Sequence, residues 1–452
     1  MDRFPEALVQ TGAGSLKLSE LIGSLSYALD LTEGHCVRSC WIGMRVGAMA
    51  GLNGQQLWEL YYTLLLKDVG CSSNVARICE LYLTDDLGFK RDFKAVRDST
   101  PHLIAFVLKH TGLKAGLSER FRAVLTMLRE GRSTAQELIV TRCSRGAEIA
   151  RLLRFPESVA AGIYSLDEHY NGKGKPARLK GEAIPVYARI AMLAQLVDVF
   201  HTAGGKTAAL AELRHRNGTW LDPELVRCFD AVAASDDFWT MLADPALDAT
   251  VFAMEPAEHT MPIDDDYLDD IATAFGQVVD SKSPYTGGHS ARVALYTDMI
   301  GEALGLSPER RRWLKRGALL HDVGKLGVSN SILDKPGALD RDEWAAVRRH
   351  AEFTEIILSR ITAFAELGRI AGAHHERLDG GGYPRGLVAD EIDLETRIIT
   401  TADIFDAITA ERPYRRAIPP LEALAMMEKT VGTALDARCF AALKEAVARV
   451  EL

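Results

Sequence analysis

The chain repeats parts of its own sequence, and this repeat constrains the fold more than any other feature. Residues 34–38 (GHCVR) are echoed by residues 288–292 (GHSAR), and residues 66–70 (LKDVG) by residues 320–324 (LHDVG), both at an offset of 254. Residues 167–176 are echoed by residues 375–384 at an offset of 208, which predicts an insertion of 46 residues in the first copy. Self-similarity at this distance predicts two related domains rather than a solenoid.

The residue pattern predicts an all-α fold, because helical periodicity dominates and alternating strand patterns are scarce. We predict a first domain over residues 1–205 with its insertion at about 75–135, a helical connector and linker over 206–262, and a second domain over 263–452. No long apolar run or leader is found, and the seven cysteines lack regular spacing. We therefore expect a cytoplasmic protein with reduced thiols and no membrane partner. The net charge of −9 argues against binding to long nucleic acid.

Histidines are concentrated in motif-like contexts in the second domain. His374 and His375 are adjacent, which is unusual for core residues because each ring needs polar partners. Asp322 and Asp403 supply carboxylates, and imidazole with carboxylate suits Mn, Fe, Zn, Co or Ni. The sequence therefore predicts ligands that converge on more than one metal ion. The five histidines of residues 263–452 are His289, His321, His350, His374 and His375.

Helix signals place several of these side chains. Ser307-Pro308-Glu309 predicts a helix start, and the helix runs on to His321-Asp322. Asp340 is predicted to cap the next helix, on which Trp344 and His350 share one buried face. Ligands from several helices of a bundle would then point inward to a common site.

These motifs resemble the HD superfamily of metal-dependent phosphohydrolases, and in particular its HD-GYP subgroup. Residues 286–293 resemble the segment of the first histidine, 321–325 the pair that gives the superfamily its name, 374–384 the GYP signature and 402–415 the closing segment. The resemblance covers about residues 263–440. It implies two tandem HD-type helical bundles. It also implies hydrolysis of cyclic di-GMP to pGpG, and in a further step to GMP, by a metal-bridged hydroxide in a binuclear site.

The resemblance also assigns metal ligands. Asp322 would bridge two divalent ions, either Fe or Mn, with Ni, Co or Zn as alternatives. One coordination sphere would be completed by His289, His321 and Asp403, and the other by His350, His374 and His375. Some relatives hold a third ion through a glutamate four residues before the first histidine. Tyr285 occupies that position here, so two ions are expected.

Substrate contacts are implied in the same way. Lys325 would contact the substrate phosphate and act with Asp322 in catalysis. Arg412 and Arg415 would hold a phosphate or a guanine, the alternative being a solvated basic turn. Three loop residues would line the pocket: Gly381, Gly382 and Tyr383.

The first copy lacks most of these ligand types, so we interpret it as degenerate. The alignment of the two copies sets Lys67 against His321, Cys71 against Lys325 and Cys143 against His350, and it also sets Leu166-Asp167 against His374-His375 and Gln195 against Asp403. We predict that the first copy holds no dinuclear centre and serves as a packing or regulatory domain, through which the chain could pair with a second copy or a protein partner. The alternative is a residual metal site formed by His35, Asp68, Cys143 and Asp167.

Two other functions stay open on the sequence alone. One is hydrolysis of another cyclic dinucleotide or nucleotide, since a fold does not fix a substrate. The other is a catalytically silent signalling adaptor that binds a cyclic dinucleotide without turnover.

Overall fold

The structure is a computed structural model that describes residues 18–29, 34–74, 136–256, 263–283, 286–335, 337–411 and 416–450. Within these ranges the regular elements are helices, accompanied by isolated bridges and no β-strand, so the predicted all-α fold is confirmed. The predicted insertion at about 75–135 lies outside the described residues, as do Tyr285, Arg412 and Arg415. None of the described helices combines the length and the apolar character needed to cross a membrane.

The first half of the described chain is a bundle built around the long helix α6. A short 3₁₀ helix, Val69–Asn74, follows α3. The α-helices are α1 Leu18–Leu29, α2 His35–Met49, α3 Gly54–Leu66, α4 136–152, α5 Glu157–Tyr164, α6 Val186–Arg216, α7 Pro223–Ala233, α8 Asp236–Leu242 and α9 Leu247–Ala253. Helix α6 is interrupted at Gly204 and Gly205, where Gly205 has a φ of 70°. The predicted domain limits at residues 205 and 262 stay a prediction.

The second half repeats this arrangement and carries the five histidines of the predicted site. A 3₁₀ helix, Val323–Gly327, follows α12 just as Val69–Asn74 follows α3. The α-helices are α10 Asp265–Asp280, α11 His289–Ala303, α12 Pro308–Leu320, α13 Asn330–Leu333, α14 Arg341–Ser359, α15 Ala365–Gly372, α16 Leu394–Thr409, α17 Pro420–Glu428 and α18 Ala437–Val450.

Local sequence signals explain the helix ends that matter for the site. The Ser307 side chain accepts a hydrogen bond from the Arg310 amide at the start of α12, and α12 ends immediately before His321, as predicted. Asp340 caps α14, also as predicted, by accepting from two amides of its first turn. The prediction that Trp344 shares the buried face of α14 is wrong, because Trp344 is 47% exposed while His350 is buried. An α-helix has about 3.6 residues per turn, so two positions that are six residues apart do not lie on the same face.

The two halves share one hydrophobic core. Helix α1 packs against the 3₁₀ helix Val323–Gly327 of the second half, and α10 packs against Val69–Asn74 of the first. The Ser72 and Ser281 hydroxyls are hydrogen-bonded at 2.9 Å across this junction. A separate core, formed by α11, α12, α16, α17 and α18, lies entirely in the second half. The predicted metal ligands therefore lie between the core of the second half and the core that both halves share.

Candidate metal centre

Asp322 lies at the middle of the histidine cluster, and its two carboxylate oxygens face different histidines. Its Oδ2 is 3.5 Å from the Nε2 of His289 and 3.3 Å from the Nε2 of His321. Its Oδ1 is 3.3 Å from the Nε2 of His350 and 3.8 Å from the Nε2 of His374. The carboxylate is buried. One side chain thus connects two groups of histidines, which is the arrangement expected of a ligand that bridges two ions.

The remaining predicted ligands complete the two groups. Asp403, on α16, places its Oδ1 at 3.3 Å from the His289 Nε2 and 3.8 Å from the His321 Nε2. His375 stacks beside His374 with ring centroids 3.9 Å apart. Ligand atoms within 4.8 Å of one another form three sets: His350, His374 and His375; His289, His321 and Asp322; and His321, His374 and Asp403. All seven predicted metal ligands are therefore brought together.

A glycine lets two of the contributing elements approach each other closely. A Cβ on Gly324, directly after the His-Asp pair, would lie 2.0 Å from the carbonyl oxygen of His350 and 2.7 Å from the amide of Thr354. No side chain fits in that space, so only glycine allows α14 to approach the motif. The Thr354 hydroxyl then donates to the His321 carbonyl and accepts from the Gly324 amide.

Three of the histidine rings are held in the tautomer that suits a metal ligand. The Nδ1 of His321, His350 and His374 lies 2.7, 2.5 and 2.6 Å from the backbone carbonyl three residues earlier. A carbonyl only accepts, so Nδ1 donates and the Nε2 lone pair points into the site. These Nε2 atoms are buried and have no hydrogen-bond partner among the described residues. Buried polar atoms without partners are costly, and cations bound to the two groups of ligands would satisfy all three.

Burial keeps the second group of histidines neutral. It lowers the pKa of His350 to about 4 and that of His375 to about 3, and it also lowers the pKa of His374. Neutral imidazole is the form that ligates a cation, so this group is ready for metal at neutral pH.

Nearby carboxylates raise the pKa of both histidines in the first group, His289 and His321. Burial opposes the charged form of His289, but hydrogen bonds with Asp322, Asp403 and Asp406 outweigh it and raise its pKa. Burial also disfavours the charged form of His321, and Asp322 outweighs it and raises the pKa. A cation that binds here would displace these protons, so metal affinity should rise with pH. The donor set of imidazoles and carboxylates fits the divalent transition metals predicted from the sequence.

Asp406 is a functional residue whose role the sequence reasoning missed. One of its oxygens lies 2.7 Å from the His289 Nδ1, and the Arg292 guanidinium donates to both. It therefore fixes the orientation of His289 in the way that carboxylates support metal-bound histidines. A signal was available, because the first copy keeps the same trio as His35, Arg38 and Asp198.

Comparisons with known proteins agree with this geometry. The family model described as HD domain matches residues 122–225 and again residues 274–439. The chain belongs to the HD domain family. The resemblance to HD-superfamily phosphohydrolases inferred from the motifs is thereby confirmed, and each half of this HD protein contributes one match.

Individual relatives cover this HD protein to different extents. It is 55% identical over 434 residues to a protein of Vibrio cholerae named 3'3'-cGAMP-specific phosphodiesterase 3, which covers 95% of the chain and 94% of the relative. It is 41% identical over 170 residues to a cyclic di-GMP phosphodiesterase response regulator of Xanthomonas campestris, covering 36% of the chain and 45% of the relative. A crystal structure described as a cyclic GMP-AMP specific phosphodiesterase of V. cholerae matches with a TM-score of 0.65 and 49% identity, covering 95% of the chain and 97% of that structure.

Two of the predicted substrate contacts border the metal centre. The Lys325 ammonium pairs with Asp322 Oδ2, and its side chain is 23% exposed, so it reaches from the ligand cluster towards solvent. The Tyr383 ring lies 4.7 Å from the His375 ring, measured between centroids. Burial raises the pKa of Tyr383, which is therefore a neutral phenol at physiological pH. Arg412 and Arg415 lie outside the described residues, so their predicted contacts stay a prediction.

The glycine loop is folded back on the residues that precede it. A Cβ on Gly382 would lie 2.5 Å from the Arg377 amide, whereas Gly381 faces the Asp379 carboxylate, whose Oδ1 accepts from its amide. The buried Glu376 carboxylate, which the sequence reasoning did not single out, accepts from the amides of residues 385, 386 and 387. This carboxylate anchors the loop directly behind the two adjacent histidines.

The equivalent site of the first HD copy requires one correction to the sequence alignment. The position equivalent to His350 is occupied by Arg142, not by Cys143. A Cβ on Gly70 would lie 2.0 Å from the Arg142 carbonyl oxygen, just as a Cβ on Gly324 would lie 2.0 Å from that of His350. The offset of 208 that relates residues 167–176 to residues 375–384 already pairs Arg142 with His350, so the assignment of Cys143 was off by one residue.

Two cationic side chains occupy the first copy's site. The Lys67 ammonium is buried and pairs with Asp68, which is the counterpart of Asp322. The Arg142 guanidinium pairs with Asp167, the counterpart of His375. His35 Nε2 remains 3.9 Å from the Asp68 carboxylate. The charges of Lys67 and Arg142 thus lie where the second copy offers its two groups of metal ligands. The absence of a metal from the first copy stays a prediction.

Proposed function

We propose that this protein is a metal-dependent phosphodiesterase that hydrolyses a guanine-containing cyclic dinucleotide, with cyclic GMP-AMP as its first candidate substrate. The observation that supports this most is the position of Asp322, whose two oxygens face two separate groups of histidines. The choice of substrate rests on the relative named as specific for 3'3'-cGAMP, to which the chain is 55% identical over 95% of its length.

The seven ligands would hold two divalent ions, and Fe or Mn is the first candidate for both. Such a pair acidifies a water molecule at neutral pH and neutralises charge on a phosphate. The first ion would be held by His289, His321, Asp322 and Asp403, and the second by Asp322, His350, His374 and His375.

Other residues of this chain prepare the site for a phosphodiester. Asp406 holds the His289 ring in position through its Nδ1. Lys325 would release Asp322 to the metals and place its ammonium on a non-bridging phosphate oxygen, since a partly exposed lysine moves easily by rotation of its side chain. Tyr383, whose ring lies 4.7 Å from the His375 ring, would limit water access on the loop side of the site.

Cyclic di-GMP is the second candidate substrate, and it is the one that the sequence motifs favour. It is supported by the relative named as a cyclic di-GMP phosphodiesterase, to which the chain is 41% identical over 170 residues. Hydrolysis would give pGpG, and a second cleavage would give GMP.

The experiment compares substrates on metal-loaded protein. Purified chain is loaded anaerobically with Fe(II), or with Mn(II), metal content is measured, and cyclic GMP-AMP, cyclic di-GMP and cyclic di-AMP are supplied singly and in competition. We expect about two metal equivalents per chain and the highest kcat/KM for cyclic GMP-AMP. Asp322→Asn should lose metal and turnover, whereas Asp342→Asn, which changes an exposed aspartate of α14, should keep both.

Each other result has a defined meaning. A higher kcat/KM for cyclic di-GMP would replace the first candidate with the second. Binding of a cyclic dinucleotide without turnover by the metal-loaded protein would refute the enzyme and leave the silent adaptor. Turnover that persists in Asp322→Asn with full metal content would refute the role given to the central carboxylate.

A further inference from the structure

An exposed tryptophan and an exposed arginine lie one helical turn apart beside the metal centre. Trp344 is 47% exposed on α14, and Arg348 follows four residues later on the same face. Exposure of a large indole contributes little to the stability of a fold, because its apolar surface stays in contact with water. The position of this side chain therefore calls for an explanation other than core packing.

These two side chains connect to the metal ligands through Tyr383. The Tyr383 ring lies 4.7 Å from the His375 ring and 6.4 Å from the His350 ring, measured between centroids. The Arg348 guanidinium is 5.3 Å from the Tyr383 ring centroid and 5.9 Å from that of Trp344. A continuous series of planar groups thus runs from the metal ligands to the protein surface.

The guanidinium in this series is available to a ligand. Arg348 forms no ion pair with any residue that the structure describes, whereas Arg310, Arg311 and Arg312 on α12 each pair with two carboxylates. A planar guanidinium beside aromatic rings stacks on flat groups and offers donors in a fixed fork. Flat heterocycles with neighbouring acceptors are the ligands that match such a surface.

We propose that Trp344, Arg348 and Tyr383 form a subsite for a guanine base of the substrate, an inference that rests on the proposed function. A phosphate held at the metal centre carries its nucleoside within one nucleotide's length, and this series of planar groups begins at His375. Aromatic side chains bind bases by stacking. Arginine donors match O6 and N7 of guanine, whereas adenine presents an amino donor at the equivalent edge. The subsite therefore selects guanine over adenine.

Matched variants test the subsite in the full-length, metal-loaded protein. Trp344→Ala and Arg348→Ala are compared with Ile356→Ala, which removes another exposed apolar side chain of α14, and with Arg349→Ala, which removes the adjacent guanidinium that stacks on Phe353. Loss of base stacking weakens binding by roughly 5- to 150-fold, so we expect KM for cyclic di-GMP to rise about tenfold or more in the first two variants. We expect the same rise in KM for cyclic GMP-AMP, which also carries a guanine, with kcat and metal content near native values, and we expect Trp344→Phe to restore KM.

Specificity provides a second readout. Arg348→Ala should lower kcat/KM for cyclic di-GMP while leaving that for cyclic di-AMP unchanged, so that the preference for guanine shrinks. Equal losses for both dinucleotides would show that Arg348 acts as a general charge and would overturn the guanine assignment. Kinetic constants in Trp344→Ala and Arg348→Ala that equal those of the two control variants would overturn the subsite.

Binding separates this inference from the proposed function. If the native protein binds metal but cleaves none of the three dinucleotides, the proposed function fails and the subsite is tested by calorimetry with cyclic di-GMP. Weaker binding to Trp344→Ala than to Ile356→Ala would then still support the subsite, and equal binding would refute it. A protein that cleaves normally, with all four alanine variants alike, refutes the subsite alone.

Discussion

Replacement of Lys67 by methionine tests whether a side-chain cation has taken over the work of a metal in the first HD copy. Methionine keeps the length and most of the volume of lysine but removes the ammonium. The Lys67 side chain is fully buried, and its partner Asp68 is also buried. The substitution therefore leaves a carboxylate in the protein interior with its closest cation removed, while packing around the site changes little.

The magnitude follows from the burial of both partners. Breaking a buried ion pair by removing one partner costs about 3–5 kcal/mol, because the remaining charge is desolvated without compensation. The melting temperature of a domain of this size changes by roughly 2–4 °C for each kcal/mol of stability. The unfolding transition of the first half should therefore move down by roughly 6–20 °C. Lys67→Met with Asp68→Asn removes both charges and should recover much of the loss, giving a coupling energy of about 2 kcal/mol or more.

The assay is thermal and urea unfolding of the full-length chain, followed by tryptophan fluorescence, which four tryptophans of the first half dominate. The matched control is Lys444→Met. Lys444 pairs with Glu428 on the surface, where both side chains are at least half exposed, so its loss should cost less than about 1 kcal/mol.

The reasoning is refuted if Lys67→Met and Lys444→Met destabilise the protein equally. It is refuted just as directly if the double variant is no more stable than Lys67→Met alone, because the unpaired Asp68 carboxylate would then not be the source of the destabilisation.

Three further predictions concern the metal centre and the acid stability of the first copy. Asp322→Ala should lower metal content in both groups of ligands, whereas His374→Ala should lose mainly one ion, and elemental analysis with about two equivalents as the native value distinguishes them. Asp406→Asn should weaken metal affinity by roughly 10- to 100-fold through His289 without removing a ligand, as a metal titration would show. Burial would raise the pKa of Asp198, but His35 and Arg38 lower it to about 2. Its contribution to stability, about 2 kcal/mol, is therefore present above about pH 4 and lost as the pH falls towards 2, and the loss should be absent from Asp198→Asn in unfolding curves measured over that range.

The sequence predicted which candidate ligands the structure brings together, because these residues lie in motifs whose local structure is simple. The His-Asp pair follows a helix that Ser307 and Pro308 begin, and the adjacent histidines precede a loop that glycines mark. In each case the ligand lies at or next to a helix end, and helix ends are the parts of a helix that sequence signals specify best.

Features that depend on contacts between distant residues were not predicted. Nothing in the local sequence shows that Asp406 orients His289 across 117 positions, or that Glu376 anchors the loop that follows it. The assignment of Cys143 instead of Arg142 has a different origin, because it departs by one residue from the offset of 208 that relates the two copies after the insertion. The exposure of Trp344 was missed because a separation of six residues places it about 120° from His350 around the helix.

The contacts between the two copies link the first HD domain to the candidate metal site of the second. The last turn of α10 leads directly to the second copy's site: Asp280 accepts from the backbone amide and hydroxyl of Ser290, next to His289, and the Lys282 ammonium donates to the carbonyl of Leu326, next to Lys325. The following Ser281 is hydrogen-bonded to Ser72, four residues after Asp68 in the first copy. A first copy that needed metal for its fold would make this support dependent on metal supply. Under the prediction that Lys67 replaces an ion, the segment that carries the His-Asp motif of the second copy would rest on a scaffold whose stabilising charge is covalently attached.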